Sequence, residues 1–98
     1  MAAYLFQLEL PELVEEIVAT IPLHREYVNK LFADGRLLSY SVSMQRTTIW
    51  CVLNAESEQE AMEMVIAFPL AKYFTDVSCH ALLFHNMQPE SMPGISLN

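Results

Sequence analysis

Ser57, followed three residues later by Glu60, opens the stretch that most constrains this chain. A serine that accepts from the backbone N–H three residues on, with a glutamate placed to reach back, is a helix start. Behind it Ala61, Met64, Val65 and Phe68 fall at i, i+3, i+4 and i+7, a single apolar stripe that Pro69 ends by removing a backbone donor. A helix of this length does not hold itself together in water, so its stripe must cover an apolar surface supplied by the rest of the chain.

Strand-like segments supply that surface. From Tyr4 to Leu10, large apolar residues at Tyr4, Phe6, Leu8 and Leu10 alternate with the mixed set Leu5, Gln7 and Glu9, and Pro11 ends the run. Helical spacing follows in Leu13, Val14, Ile17, Val18 and Ile21, which predicts a first short helix over 12–21 behind acidic residues suited to a helix N-terminus. Pro22 is expected to open a second helical piece running to Asp34, with Leu23, Tyr27, Val28, Leu31 and Phe32 on one face and Gly35 as its stop. Residues 37–44 and 47–54 read as a hairpin turning at Gln45-Arg46, and a last strand is expected from Val77 to His85. Residues 1–86 thus form one domain, while 87–98, with Pro89, Pro93 and Gly94, carry no periodicity and read as an irregular tail, disordered or laid over a neighbour. The order strand, helix, strand, strand, helix, strand is that of an α+β ferredoxin-like βαββαβ unit with an antiparallel sheet.

Alternation divides the strand residues between two faces. The helices are expected to cover Phe6, Leu8, Tyr40, Val42, Ile49, Cys51, Cys79 and Leu83, leaving Gln7, Glu9, Ser39, Ser41, Ser43, Thr48, Trp50, Ser78 and His80 on the other side. A sheet face that carries a tryptophan among polar groups is suited to packing against a second copy. The chain is 53% hydrophobic and only 17% charged over 98 residues, so apolar surface is available for a subunit interface. We therefore expect a homodimer or higher homo-oligomer, with the polar groups lining a space between subunits. In the same topology Cys51 and Cys79 stand two strand spacings apart, ~9–10 Å, which excludes a disulfide and suits buried, reduced thiols.

Twelve acids against five Lys and Arg give a formal charge of −7, with no basic stripe for a phosphate backbone, so nucleic acid is not an expected partner. No charged leader with an apolar core and no run of about 18 apolar residues is present. The expected setting is the cytoplasm, with no membrane association.

No phosphate-binding glycine loop, zinc spacing or nucleophile elbow occurs, and the expectation is neither metal nor cofactor. Single residues remain as candidates. His80, near Gln7 and Trp50 on the mixed face, suits a proton shuttle, against the plainer role of an interface hydrogen bond. His85 falls on the other face, with a structural role holding the tail, and His24 falls in the first turn of its helix; the three share no face on which a metal would bind. Arg46 in the hairpin turn suits bidentate capture of a carboxylate, or simple solvation. Trp50 and Tyr40 offer aromatic walls for a small ring, or ordinary packing area.

The Ser57-x-x-Glu60 helix start, Phe68-Pro69-Leu70, Tyr73-Phe74 and Gly35 at the end of the long helical stretch together resemble the muconolactone isomerase-like proteins, over most of residues 5–86. The resemblance implies the dimeric α+β barrel and a place in aromatic catabolism. Family enzymes shift a double bond in a lactone by moving a proton at carbon without a cofactor. Such a reaction needs a base, a donor to the developing enolate oxygen and a carboxylate holder. The resemblance would assign these to His80 or Glu9, to Gln7 and to Arg46. The family's isomerases carry His where this chain has Gln7, and Trp-Arg in the segment that here reads Ser41-Val42-Ser43. Three readings stay open: a cofactor-free isomerase acting on a small ring-derived carboxylated metabolite, a non-catalytic small-ligand-binding module, and a cofactor-independent oxygenase.

Overall fold

The computed structural model of the protein describes residues 1–86; the expected tail over 87–98 lies outside them. The chain forms β1 (Ala2–Glu9), α1 (Glu15–Ala33), β2 (Leu37–Val42), β3 (Thr48–Ala55), α2 (Glu58–Ile66), a 3-10 turn (Ala71–Tyr73) and β4 (Asp76–Leu82). The strands build one antiparallel sheet in the order β2-β3-β1-β4. This is the α+β ferredoxin-like arrangement expected from the periodicities.

Phe6 shows how the sheet organises the core. It is fully buried and pairs with Cys51 on one side and Cys79 on the other, so the two cysteines flank a strand rather than each other. Both thiols are free. Leu8 and Ile49 form the next row, and with Leu53, Ala61, Val65 and Phe68 they make a dry layer between sheet and helices. A bulge at Leu38 inserts one residue between the pairs Leu37↔Leu53 and Ser39↔Val52. Leu37 and Tyr40, an odd number of positions apart, thereby share the helix side of β2.

Helix α2 begins as its sequence requires. Ser57 Oγ accepts from Glu60 N–H at 3.1 Å, while the Glu60 carboxylate accepts from Glu56 N–H at 2.8 Å, one residue before the position a standard box would use. Helix α1 ends with Arg36 N–H bound to Leu31 C=O and Gly35 N–H to Phe32 C=O, Gly35 lying at φ +75°. That paired closure needs a left-handed residue, which glycine supplies without steric cost.

Several expectations are corrected. The two helical pieces divided at Pro22 are one helix of 19 residues that runs through the proline. Pro22 costs the helix one hydrogen bond, yet its ring is exposed and the buried stripe Ile17, His24, Val28 and Leu31 runs past it unbroken. Leu23 and Phe32, placed on the inner face by periodicity, are exposed, and His24 takes the inner position instead. Strand β4 ends at Leu82 rather than His85, because Leu82 already pairs with Ala3 and β1 has almost no chain left to extend the ladder. Leu83 is therefore 95% exposed, and Val42, on its expected face at the end of β2, is also exposed.

Candidate functional site

The sheet separates two candidate regions. On the helix side, α1 and the β2–β3 hairpin bound a cleft of about 610 Å³, walled by apolar residues such as Leu13, Ile17, Val28, Ile49 and Leu70. His24, Tyr40, Arg25, Asn29 and Arg46 bring polar groups to it. Two of the chain's five Lys and Arg line this cleft, and none of the acids among the described residues does.

His24 is 4% exposed, the only buried polar or charged residue among those described. It arrives there because α1 carries it on the inner stripe. Its Nε2 lies 2.7 Å from the Tyr40 hydroxyl, and its Nδ1 accepts from the backbone N–H of Leu70 at 3.4 Å. Phe68 packs edge-on against the imidazole at a ring separation of 5.1 Å. Burial pushes His24 down to about 4, so the ring is neutral near pH 7. Burial, and then the nearby Cys51 thiol, raise Tyr40 well above an ordinary phenol, so it keeps its proton. Cys51 itself is pushed up to about 12 by burial and is not a nucleophile.

Arg46 reaches the cleft from a strained turn. Its N–H closes on Ser43 C=O at 2.9 Å, Ser43 Oγ accepts from the N–H groups of Thr47 and Thr48, and Arg46 sits at φ 65°. A side chain in the left-handed region is uncommon, and here it belongs to an arginine that lines the cleft.

The opposite face is open. There Trp50 Nε1–H donates to Gln7 Oε1 at 3.2 Å, Gln7 Nε2–H donates to Glu9 at 2.7 Å, and Thr48 Oγ1–H donates to the other Glu9 oxygen at 2.8 Å. The hydrogen bonds from Gln7 and Thr48 hold the Glu9 carboxyl below its ordinary range, which makes it a settled anion and a weak base. His80 is exposed on this face, across from Leu5, with Val52 beyond on β3.

The residues singled out from sequence therefore divide. Gln7, Glu9, Trp50 and His80 share the open face; Tyr40 and Arg46 line the cleft on the other side. Trp50 and Tyr40 cannot wall one pocket within a chain, because Tyr40 lies opposite Cys51, and Cys51 and its neighbour Trp50 face opposite ways on β3. Sequence reading missed His24, Arg25 and Asn29. The available signal was the 7, 4, 3 spacing of Ile17, His24, Val28 and Leu31, which places a polar ring on an otherwise apolar stripe. Among the described residues no group of three His, Cys, Asp or Glu side chains converges, and no helix is long and apolar enough to cross a membrane.

The sequence matches no protein-family model and no curated protein. Among solved structures, the chain is similar to the 5-chloro-2-hydroxyhydroquinone dehydrochlorinase TftG of Burkholderia phenoliruptrix AC1100, determined in complex with 2,5-dihydroxybenzoquinone. The match has a TM-score of 0.65 at 15% identity, over 80% of this chain and 90% of that one. At that identity the likeness is one of fold.

Proposed function

We propose that this protein binds and processes a small, ring-derived, oxygenated metabolite, held in the cleft between α1 and the sheet. The observation that carries the reading is the concentration of charge: in a strongly acidic chain the cleft is apolar, bordered by Arg25 and Arg46, and lined by no carboxylate among the described residues. Such a site desolvates a ring and pairs its anionic substituent. TftG, whose name and bound quinone describe an oxygenated six-membered ring, supports the same ligand class.

For chemistry we propose cofactor-free proton transfer at carbon, as in lactone isomerisation, with Tyr40 polarising a carbonyl oxygen, Arg46 holding a carboxylate, and solvent water at the cleft mouth accepting the proton from one carbon while a proton is returned to another. A second reading places the reaction on the open face, between the sheets of a homodimer, with His80 or Glu9 as base beside Gln7 and Trp50. The hydrogen-bonded row Trp50, Gln7, Glu9 and Thr48, with Leu5 and Val52 in the cross-strand row beside His80, favours that face as the dimer interface. A non-catalytic binding module is a further reading, favoured by the occupied ring nitrogens of His24, which leave the cleft without a free side-chain base among the described residues.

One experiment separates them: NMR detection of ligand binding and of deuterium uptake from heavy water for muconolactone and a panel of unsaturated lactones. Wild type, Tyr40→Phe and His80→Ala are compared. Exchange lost only in Tyr40→Phe places the reaction in the cleft, and exchange lost only in His80→Ala places it between sheets. Binding without exchange identifies a binding module, and absence of both removes the proposal for that panel.

A further inference from the structure

The hydrogen bonds around His24 have only one consistent direction. The buried backbone N–H of Leu70 can only donate, and the nitrogen it faces is Nδ1 of His24, which must carry a lone pair there. A neutral imidazole has one N–H, so the proton sits on Nε2 and points at the Tyr40 oxygen 2.7 Å away. Were Tyr40 the donor instead, the proton would move to Nδ1 and face the Leu70 N–H, leaving two buried donors opposed. Turning the ring over would remove both contacts. With its oxygen accepting from His24, Tyr40 has no other hydrogen-bond partner among the described residues, and its own proton is unspent. Both side chains line the cleft.

We infer that His24 is a positioning residue that makes Tyr40 a dedicated hydrogen-bond donor to the cleft, so that the cleft selects a ring presenting an acceptor oxygen, a carbonyl or an ionised phenol, over its protonated form. The inference deepens the small-ligand reading above and rests on it. A ring hydroxyl that must donate meets no acceptor at this position, whereas an oxyanion receives the phenol proton and the arginine charge together. The neutrality the argument needs is supplied by burial, which holds His24 well below its ordinary pKa.

Two measurements test it. Long-range ¹H–¹⁵N correlation of the free protein at pH 7 should show His24 protonated at Nε2 and bare at Nδ1; the opposite tautomer, or a doubly protonated ring, overturns the inference without any ligand. Spectrophotometric titration of 4-nitrophenol with the protein should show the bound phenol ionising at lower pH than the free one, by about one pH unit, a roughly tenfold selection. Tyr40→Phe should keep binding, because both arginines remain, but lose a measurable part of that shift, and His24→Leu should reduce it. A shift unchanged in Tyr40→Phe, or preferential binding of the neutral phenol, overturns the selectivity. A probe that binds in neither form overturns the small-ligand reading for ring oxyanions and the selectivity with it, even if the tautomer is as expected.

Discussion

Phe6 and Gln7 are neighbours in β1, yet they belong to different kinds of protein surface. Phe6 faces the helices, fully buried between two cysteines, while Gln7 faces outward and joins a row of hydrogen bonds from Trp50 to Glu9. The open face has the more conspicuous polar network, and the helix face has, among the described residues, one hydrogen-bonded pair of side chains, His24 and Tyr40. Water competes with every bond of the first and is largely excluded from the second, so the buried pair has the stronger hold on direction and protonation. The contrast teaches that a residue's chemistry in this fold follows from which side of the sheet it takes, more than from how many partners it has.

Truncation gives the largest expected effect. Phe6→Ala should destabilise the fold by roughly 3–5 kcal/mol, the cost of removing a buried aromatic ring from a packed layer. Trp50→Ala, on the open face, should cost the isolated chain about 1 kcal/mol or less while lowering the mass found by sedimentation equilibrium, if the open faces pair. Chemical denaturation and sedimentation of both variants check this. A Trp50→Ala protein with unchanged mass and a large loss of stability would place Trp50 in the fold rather than in an interface.

Acid should separate the two faces next. The folded-state pKa of His24 lies near 4, below its unfolded value of 6.5, so the unfolded chain binds the extra proton between those values. Its contribution is complete above pH about 6.5 and is lost as pH falls towards 4, amounting to roughly 2–3 kcal/mol at neutral pH. Glu9, also lowered, acts in the same direction but only below its ordinary 4.5, and it lies in water. Stability of wild type should therefore fall between pH 6.5 and 4, and His24→Gln should flatten that interval while leaving the steeper loss at lower pH. Urea midpoints across the range give the comparison, and equal slopes for the two proteins would contradict it.

Much of this fold was legible in the order of the periodicities. The row Cys51, Phe6, Cys79 could be placed from alternation because a strand has a period of two and no freedom in it. The α1 stripe was harder, since Pro22 signals a break that one continuous buried face overrides, and since Leu23 is more apolar than His24 although His24 is the one inside. The site was the least legible part. Composition showed few cations but not that two of them border one cleft, and Tyr40 was recognisable as an aromatic wall without any sign of its partner 16 residues earlier. Alternation does place Tyr40 on the helix side, but the pairing also needs His24 on the inner stripe of α1, which the proline two residues earlier hides by signalling a new helix start.

The smallest effect expected in stability concerns Arg46, and it bears on why an arginine occupies that turn. Its φ of 65° costs an L-residue about 1 kcal/mol, and asparagine accepts the left-handed region with less strain. Arg46→Asn should therefore gain roughly 0.5–1 kcal/mol, while Arg46→Gly should gain less because glycine also frees the unfolded chain. If the turn held arginine for structural reasons alone, both replacements would leave ligand binding intact. With Arg46 on the cleft wall, Arg46→Asn should weaken an anionic ring ligand by about tenfold, the loss of one charge-assisted contact. Thermal denaturation together with titration of 4-nitrophenolate measures both quantities on one protein. A variant that is more stable yet binds less well would show backbone strain retained for binding; one that binds as well as wild type would move the anion's partner to Arg25 or out of the cleft.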